Sequence, residues 1–311
     1  MKNNPILIVA GEPKSIFFEI FFKSLKSNNF KSPIILIASL KLIKSYLNKN
    51  KIKFKINLID EKKITSYKLK NSYINLINVN CIKTEKYINE SFNVAFRILK
   101  TGLSNKLING PINKSKFLNK KFLGITEYIS QKFQVKKMAM LIYNEDLSVC
   151  PITTHLPLSL VSKKISRKLI REKAFLINNF FIKHIGYKPK IAVTGLNPHC
   201  ESILKLNEDL KIVKPAVNSL KKNGVKIDGP FPADTIFLRQ NRTKYNVILG
   251  MYHDQVLSPI KSLKEYDAIN ITLGLPFLRI SPDHGPNEKM INKNLSNPQS
   301  LIKAIKFLDK K

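Results

Sequence analysis

Short, nearly uninterrupted apolar runs recur along the chain, and stretches with apolar residues at helical spacing lie between them. Pro5-Ile6-Leu7-Ile8-Val9-Ala10 predicts a buried strand, and Gly11-Glu12-Pro13-Lys14-Ser15 predicts the turn into a helix over about 16–25 that Ser15 can cap. Ile34-Ile35-Leu36-Ile37-Ala38 predicts a second strand, followed by a Leu/Ile-patterned helix to about 47. Such alternation points to βα units and a largely parallel sheet. From 51 to 80 the pattern turns to shorter strands with Lys-rich turns, whose order it leaves open.

Apolar residues at 87, 88, 92, 95, 96 and 99 make 85–99 an amphipathic helix. It leads into the strand and Gly-Pro turn of Leu107-Ile108-Asn109-Gly110-Pro111-Ile112-Asn113-Lys114. Gly124 followed by Thr126 predicts a loop entering a helix, where free amides and a hydroxyl can hold an anion. Two adjacent strands are expected at 138–143 and 147–152, one long helix at 163–183 and another at 207–220. After 225–227 the Pro-rich segment 228–235 reads as a loop, in which Asp234 is by itself more an N-cap than a catalytic acid. A strand and loop over 268–279 end at Arg279, and a final helix is expected at 298–308.

Three of the strand-like runs end in a histidine. Val247-Ile248-Leu249 leads to Gly250-Met251-Tyr252-His253-Asp254-Gln255, Ser148-Val149-Cys150-Pro151-Ile152-Thr153-Thr154 to His155, and Ile191-Ala192-Val193-Thr194-Gly195-Leu196-Asn197-Pro198 to His199. The chain has only five histidines, so three in matching positions are more than scatter. The carboxyl edge of an open α/β sheet is where ligands bind, and three imidazoles converging there can hold a divalent ion. A structural, hydrogen-bonded histidine is the alternative at each position, and the spacings are too long for a local metal motif. His184, ahead of Gly186 at a helix end, is assigned no chemistry.

At 311 residues the chain is long enough for two lobes or one large α/β unit, and its 43% hydrophobic content suits a soluble globule. No apolar run reaches the ~18–20 residues needed to span a bilayer, and Met1-Lys2-Asn3-Asn4 leads straight into a short strand, so a cytoplasmic location is expected. Cys81, Cys150 and Cys200 lack the spacing of a disulfide framework or thiolate zinc site, and Cys200 reads as a small filler in preference to a ligand or nucleophile. The net charge of +33 invites a nucleic-acid reading, but arginine occurs only at 97, 167, 171, 239, 242 and 279 and no nucleic-acid-binding motif is present. The excess reads as a solvated lysine surface that draws in anionic substrates, with neither nucleic acid nor membrane as partner.

Gly110-Pro111-Ile112-Asn113-Lys114, Thr153-Thr154-His155-Leu156-Pro157-Leu158, Gly195-Leu196-Asn197-Pro198-His199, Pro232-Ala233-Asp234-Thr235, Met251-Tyr252-His253-Asp254-Gln255, the segment 270–277 and Asp283-His284-Gly285 follow one another in an order that resembles the 4-hydroxythreonine-4-phosphate dehydrogenase family of vitamin B6 biosynthesis. The resemblance covers nearly the whole chain. It implies an isocitrate/isopropylmalate dehydrogenase-like α/β fold, with two α/β/α lobes and a cleft between them. The lobes are expected at 1–135 plus 268–311 on the NAD side, and at 136–267 on the metal and dimer side. The resemblance further implies a homodimer whose active site is shared across the interface, a divalent metal (Zn, Mg or Co) and NAD.

Carried over by position, His155, His199 and His253 match the metal ligands, one of them supplied by the second subunit. Thr126, Lys261, Asn270 and Arg279 match substrate contacts, Asp234 and Asp254 match carboxylates near the metal, and Gly274, Leu275 and Asp283 are the expected cofactor contacts. Lys261 also suits proton transfer if its pKa is lowered. The chain departs from the family pattern at Ile125, where the family has histidine, at Lys14-Ser15-Ile16-Phe17-Phe18, where two glycines are lost, and at 200–206, where a glycine-rich run is replaced. The implied reaction is oxidative decarboxylation of 4-phosphooxy-L-threonine. A phosphorylated sugar acid such as phosphothreonate or phosphoerythronate is the nearest alternative substrate, and a metal-dependent hydrolase or a basic binding protein are alternatives of other classes.

Overall fold

A strand covered on both faces has no solvent side to demand alternation, and the apolar runs become strands of that kind. In the computed structural model, which describes residues 4–26, 28–113, 124–200, 207–282 and 285–311, the principal elements are, in chain order, β1 (Ile6–Val9), α1 (Phe17–Lys26), β2 (Ile34–Ala38), α2 (Leu40–Lys49), β3 (Ile56–Leu58), β4 (Ile74–Asn78), α3 (Thr84–Lys100), β5 (Lys106–Asn109) and α4 (Ile125–Lys132). They continue with β6 (Ala139–Tyr143), β7 (Ser148–Thr153), α5 (Arg167–Phe180), β8 (Ile191–Thr194), α6 (Lys214–Lys222), β9 (Ile227–Phe231), β10 (Val247–Tyr252), α7 (His253–Lys264), β11 (Ile269–Leu273), β12 (Leu278–Pro282) and α8 (Gln299–Asp309). The chain packs as two compact units, Met1–Tyr128 with Pro276–Lys311, and Ile129–Leu275.

In the first unit the strand order is β3-β4-β2-β1-β5-β12, with each neighbouring pair parallel. All nine residues of β1 and β2 are buried. Ser15 does cap the first helix, its hydroxyl accepting from Phe17 N at 3.3 Å. The C-terminal helix is tied to the turn ahead of β2 through Asp309, whose carboxylate accepts from Lys31 N and Ser32 N.

In the second unit the order is β11-β6-β7-β10-β8-β9. β6 is antiparallel to both of its neighbours, and β7, β10, β8 and β9 run parallel. The antiparallel pairing of β11 with β6 places 268–275 in the second unit, whereas the sequence reading assigned these residues to the first.

Four local expectations are corrected. The long helix at 163–183 is interrupted at Ile165 and Ser166, because Ser166 is extended and its hydroxyl caps a new helix by accepting from Leu169 N at 3.2 Å. Within α5 the buried residues are Ile170, Ala174, Ile177 and Phe180, so of the apolar residues at 165, 169, 175, 176 and 180 that the sequence offers as a stripe, only Ile165 and Phe180 are buried. The segment 228–231, read as a loop, continues β9 beside β8, and 268–279 holds two strands in place of one. Among the described residues no helix is long and apolar enough to cross a membrane.

Ile248 on β10 is fully buried with Val149, Ala192, Val256 and Ile260 in the core of the second unit. Ile248→Ala is expected to destabilise the protein by about 2–5 kcal/mol, measured by denaturant unfolding.

Candidate active site

Leu249 of β10 is level with Cys150 of β7 and with Val193 of β8, and Tyr252 is level with Thr153. The parallel strands therefore bring their C-terminal ends to one edge, where Thr153 Oγ1 donates to Met251 O at 2.8 Å. β10 stops at Tyr252, and α7 begins at the next residue, His253. The rings of His155 and His253 stand 6.1 Å apart, centroid to centroid. Asp254 Oδ1 lies 2.7 Å from His253 Nδ1, a contact that orients the ring and engages this nitrogen in preference to Nε2.

His199 is exposed at the end of its own turn, with φ of 55°, and Cys200 follows with φ of 60°. A left-handed residue other than glycine costs about 1–2 kcal/mol, so the surroundings must impose this shape. Among the described residues no three His, Cys, Asp or Glu side chains gather into a set able to hold a metal. One chain thus pairs two of the three expected ligands, and His199 does not complete the set within it.

Two residues shape the His199 turn: Asp209, which nothing in the sequence singles out, and Gln255, which the sequence places at the strand end without a role. Asp209, fully buried, accepts from Leu196 N, Asn197 N and Asn197 Nδ2. Gln255 donates to Gly195 O and accepts from Met251 N and Thr194 Oγ1. Cys200 is buried, with its sulfur against Gly195, which fits the filler role.

Lys261 lies further along α7, half-buried, and burial lowers its pKa from the ordinary 10.5. Asn270 on β11 has a buried Oδ1 with no hydrogen-bond partner among the described residues, an acceptor that a ligand donor would satisfy. Asp234 and Asp254 are both exposed. Asp234 is not an N-cap, since Pro232 takes that position for the short helix Ala233–Ile236.

In the first unit Arg279 on β12 is 1% exposed, and its guanidinium is held by two side chains. Nε donates to Asn109 Oδ1 at 2.8 Å and Nη1 to Thr126 Oγ1 at 3.1 Å. Burial lowers its pKa to about 10 against the opposing charge of Glu127, so it stays a cation at neutral pH. Thr126 is the second residue of α4, after a half-buried Ile125. Asn109 was legible only as the last residue of a strand.

Gly274 is exposed with φ of 95°, and a Cβ there would lie 2.2 Å from Lys137 O. Its bare backbone, with half-buried Leu275 beside it, is open to a ligand. The turn at 11–18 is different: a Cβ on Gly11 would lie 2.3 Å from Pro111 O, Glu12 is buried, and Phe17 and Phe18 are buried too. Asp283 and the segment 201–206 lie outside the described residues.

The profile of the family described as pyridoxal phosphate biosynthetic protein PdxA matches residues 29–308. The chain belongs to this family. It is 32% identical to the 4-hydroxythreonine-4-phosphate dehydrogenase of Aquifex aeolicus (strain VF5), over 99% of this chain and 98% of that protein. It is 41% identical to the protein of the same name from Sulfurihydrogenibium sp. (strain YO3AOP1) over 66% of this chain, and spans 64% of that relative's length. Its fold matches the crystal structure of the Klebsiella pneumoniae 4-hydroxythreonine-4-phosphate dehydrogenase with a TM-score of 0.85 and 27% identity, over 99% of both chains. Family members bearing this name are oxidoreductases, and a dehydrogenase family implies a nicotinamide cofactor and a metal. Toward a metal, one chain offers the paired imidazoles of His155 and His253 as two nitrogen donors.

Gly274→Ala is expected to cost about 2–3 kcal/mol by forcing a left-handed alanine against Lys137 O, read as a lowered melting temperature of the ligand-free protein. The lowered pKa of Lys261 gives a second expectation. The folded state binds fewer protons there than the unfolded state between the lowered value and 10.5, so stability contributed by this group rises with pH across that window. Lys261→Met should flatten the rise, as measured by unfolding midpoints from pH 7 to 10.5.

Proposed function

We propose that the protein is an NAD- and divalent-metal-dependent 4-hydroxythreonine-4-phosphate dehydrogenase, converting 4-phosphooxy-L-threonine to 3-amino-2-oxopropyl phosphate and CO2 in pyridoxal phosphate synthesis. The observation that carries this reading is the family match over 29–308, a span that includes the seven expected ligand and substrate positions. The working form is a cytoplasmic homodimer. His155, His199 and His253 hold one Zn, Mg or Co ion, with one imidazole drawn from the second subunit, and the His155–His253 pair and the Asp254 contact support this assignment. An ion held there would supply Lewis acidity, lowering the pKa of the substrate's secondary hydroxyl and stabilising the charge left by decarboxylation. NAD supplies the hydride acceptor, with Gly274, Leu275 and Asp283 as its contacts.

The remaining roles belong to the chain's own side chains. Arg279 and Thr126 bind an oxyanion of the substrate, since a guanidinium already stripped of water gains a charge-assisted hydrogen bond at little further desolvation cost. Lys261 adds a second cation for the phosphate or carboxylate, and its lowered pKa suits it to take the hydroxyl proton and to return one to carbon after decarboxylation. Asn270 Oδ1 accepts from the substrate's amino or hydroxyl group.

Ile125 favours a second reading. An apolar side chain at the start of α4, beside Thr126, removes a donor that the family offers and suits a phosphorylated sugar acid. With NAD and Zn, Mg or Co ions, 4-phosphooxy-L-threonine should yield NADH, and Ile125→His should raise kcat/KM for it by about tenfold, the worth of one hydrogen bond. Faster NADH formation from phosphothreonate or phosphoerythronate would select the second reading. Phosphate release without NAD would replace both with a hydrolase.

A further inference from the structure

The Gly195-Leu196-Asn197-Pro198 turn leading to His199 takes its shape from groups outside it. Asp209 is 0% exposed, and its carboxylate is spent wholly on this turn. Oδ1 accepts from Leu196 N at 2.7 Å, and Oδ2 accepts from Asn197 N and from Asn197 Nδ2, both at 3.0 Å. A buried carboxylate is tolerated only where such donors offset its lost hydration, so turn and carboxylate depend on one another.

Gln255, two residues after His253, holds the same turn from the other side. Its Nε2 donates to Gly195 O at 2.8 Å, while Oε1 accepts from Met251 N at 2.7 Å and Thr194 Oγ1 at 2.8 Å. Gly195 leaves no room for a side chain between these two clamps, since a Cβ would lie 2.6 Å from Cys200 Sγ and 3.1 Å from Asp209 Oδ1. His199 and Cys200 then take the left-handed backbone that a chain adopts only when its surroundings impose it.

We propose that Asp209 is a positioning residue for His199, and that Asp209 and Gln255 together fix the His199 turn relative to the start of the His253 helix. The consequence for metal binding rests on the reading of these histidines as ligands. Groups bonded directly to a metal ligand change affinity by about 10–100-fold when altered, and Asp209 acts on His199 through the backbone of Leu196 and Asn197.

The test is cobalt(II) uptake by the metal-stripped full chain, followed by calorimetry and visible absorption, with thermal unfolding of the same metal-free samples. Asp209→Asn keeps the shape but turns an amide donor toward N–H donors. It should bind cobalt about 10–100-fold more weakly with an altered absorption spectrum, and Asp209→Glu should recover part of the loss. Asn197→Ala, which removes one half-exposed donor, should weaken binding by roughly 3–10-fold with a near-normal melting temperature, and it decides the matter if Asp209→Asn does not fold. Unchanged affinity and spectrum in the folded variants, or an effect confined to melting temperature, overturns the role of Asp209. A wild-type chain that takes up no cobalt overturns the metal reading itself and this role with it.

Discussion

Leu249 is level with Cys150 on one side and Val193 on the other, so β7, β10 and β8 advance in step and end together. Parallel strands connected by crossovers release each following segment at the same edge of the sheet, and here each of those segments carries a histidine. His253 comes one residue after its strand, His155 two after, and His199 five after. The difference in reach matters. A residue next to the strand inherits its position from the sheet, whereas one five residues on needs separate anchoring, which the side chains of Asp209 and Gln255 supply.

The first unit meets a different problem, a guanidinium on a buried strand. Charge in such a place needs partners, and Asn109 accepts from Nε and Thr126 from Nη1 while Glu127 supplies a nearby opposite charge. Arg279 is level with Leu107 on the adjacent strand β5, two residues before Asn109, so strand pairing sets the distance that the side-chain bond then uses. The surplus of lysine acts at longer range: a net charge of +33 raises the local concentration of anions, but its screening within a Debye length leaves orientation to the buried groups.

The sequence made the strands legible because burial on both faces writes itself as a continuous apolar run, and β2 was read to the residue. Helix ends were harder. The apolar spacing across 163–183 runs through Ile165 and Ser166, and only the cap that Ser166 makes to Leu169 breaks it. Of the site, the histidines stood out as rare residues in repeated contexts, while Asp209 did not, because an acid at a helix start is ordinarily a solvated residue. Its partners lie 12 and 13 positions upstream and meet it only once β8 and the following helix are packed. The pairing of β11 with β6, which moved the unit boundary, depends on register between segments far apart and left no local mark.

The loss of glycines near the N-terminus now has a physical meaning. In a glycine-rich turn before a helix, bare amides can approach a phosphate. Here Phe17 stacks on Phe21 and packs edge-on against Phe18, Glu12 N donates to Pro111 O at 2.8 Å, and the Cβ side of Gly11 is closed by that same carbonyl. The turn is part of the core, and Glu12 is buried in it. This turn therefore does not offer bare amides to a phosphate, and within the first unit the buried guanidinium of Arg279 beside Thr126 is the group whose charge and geometry suit an anion.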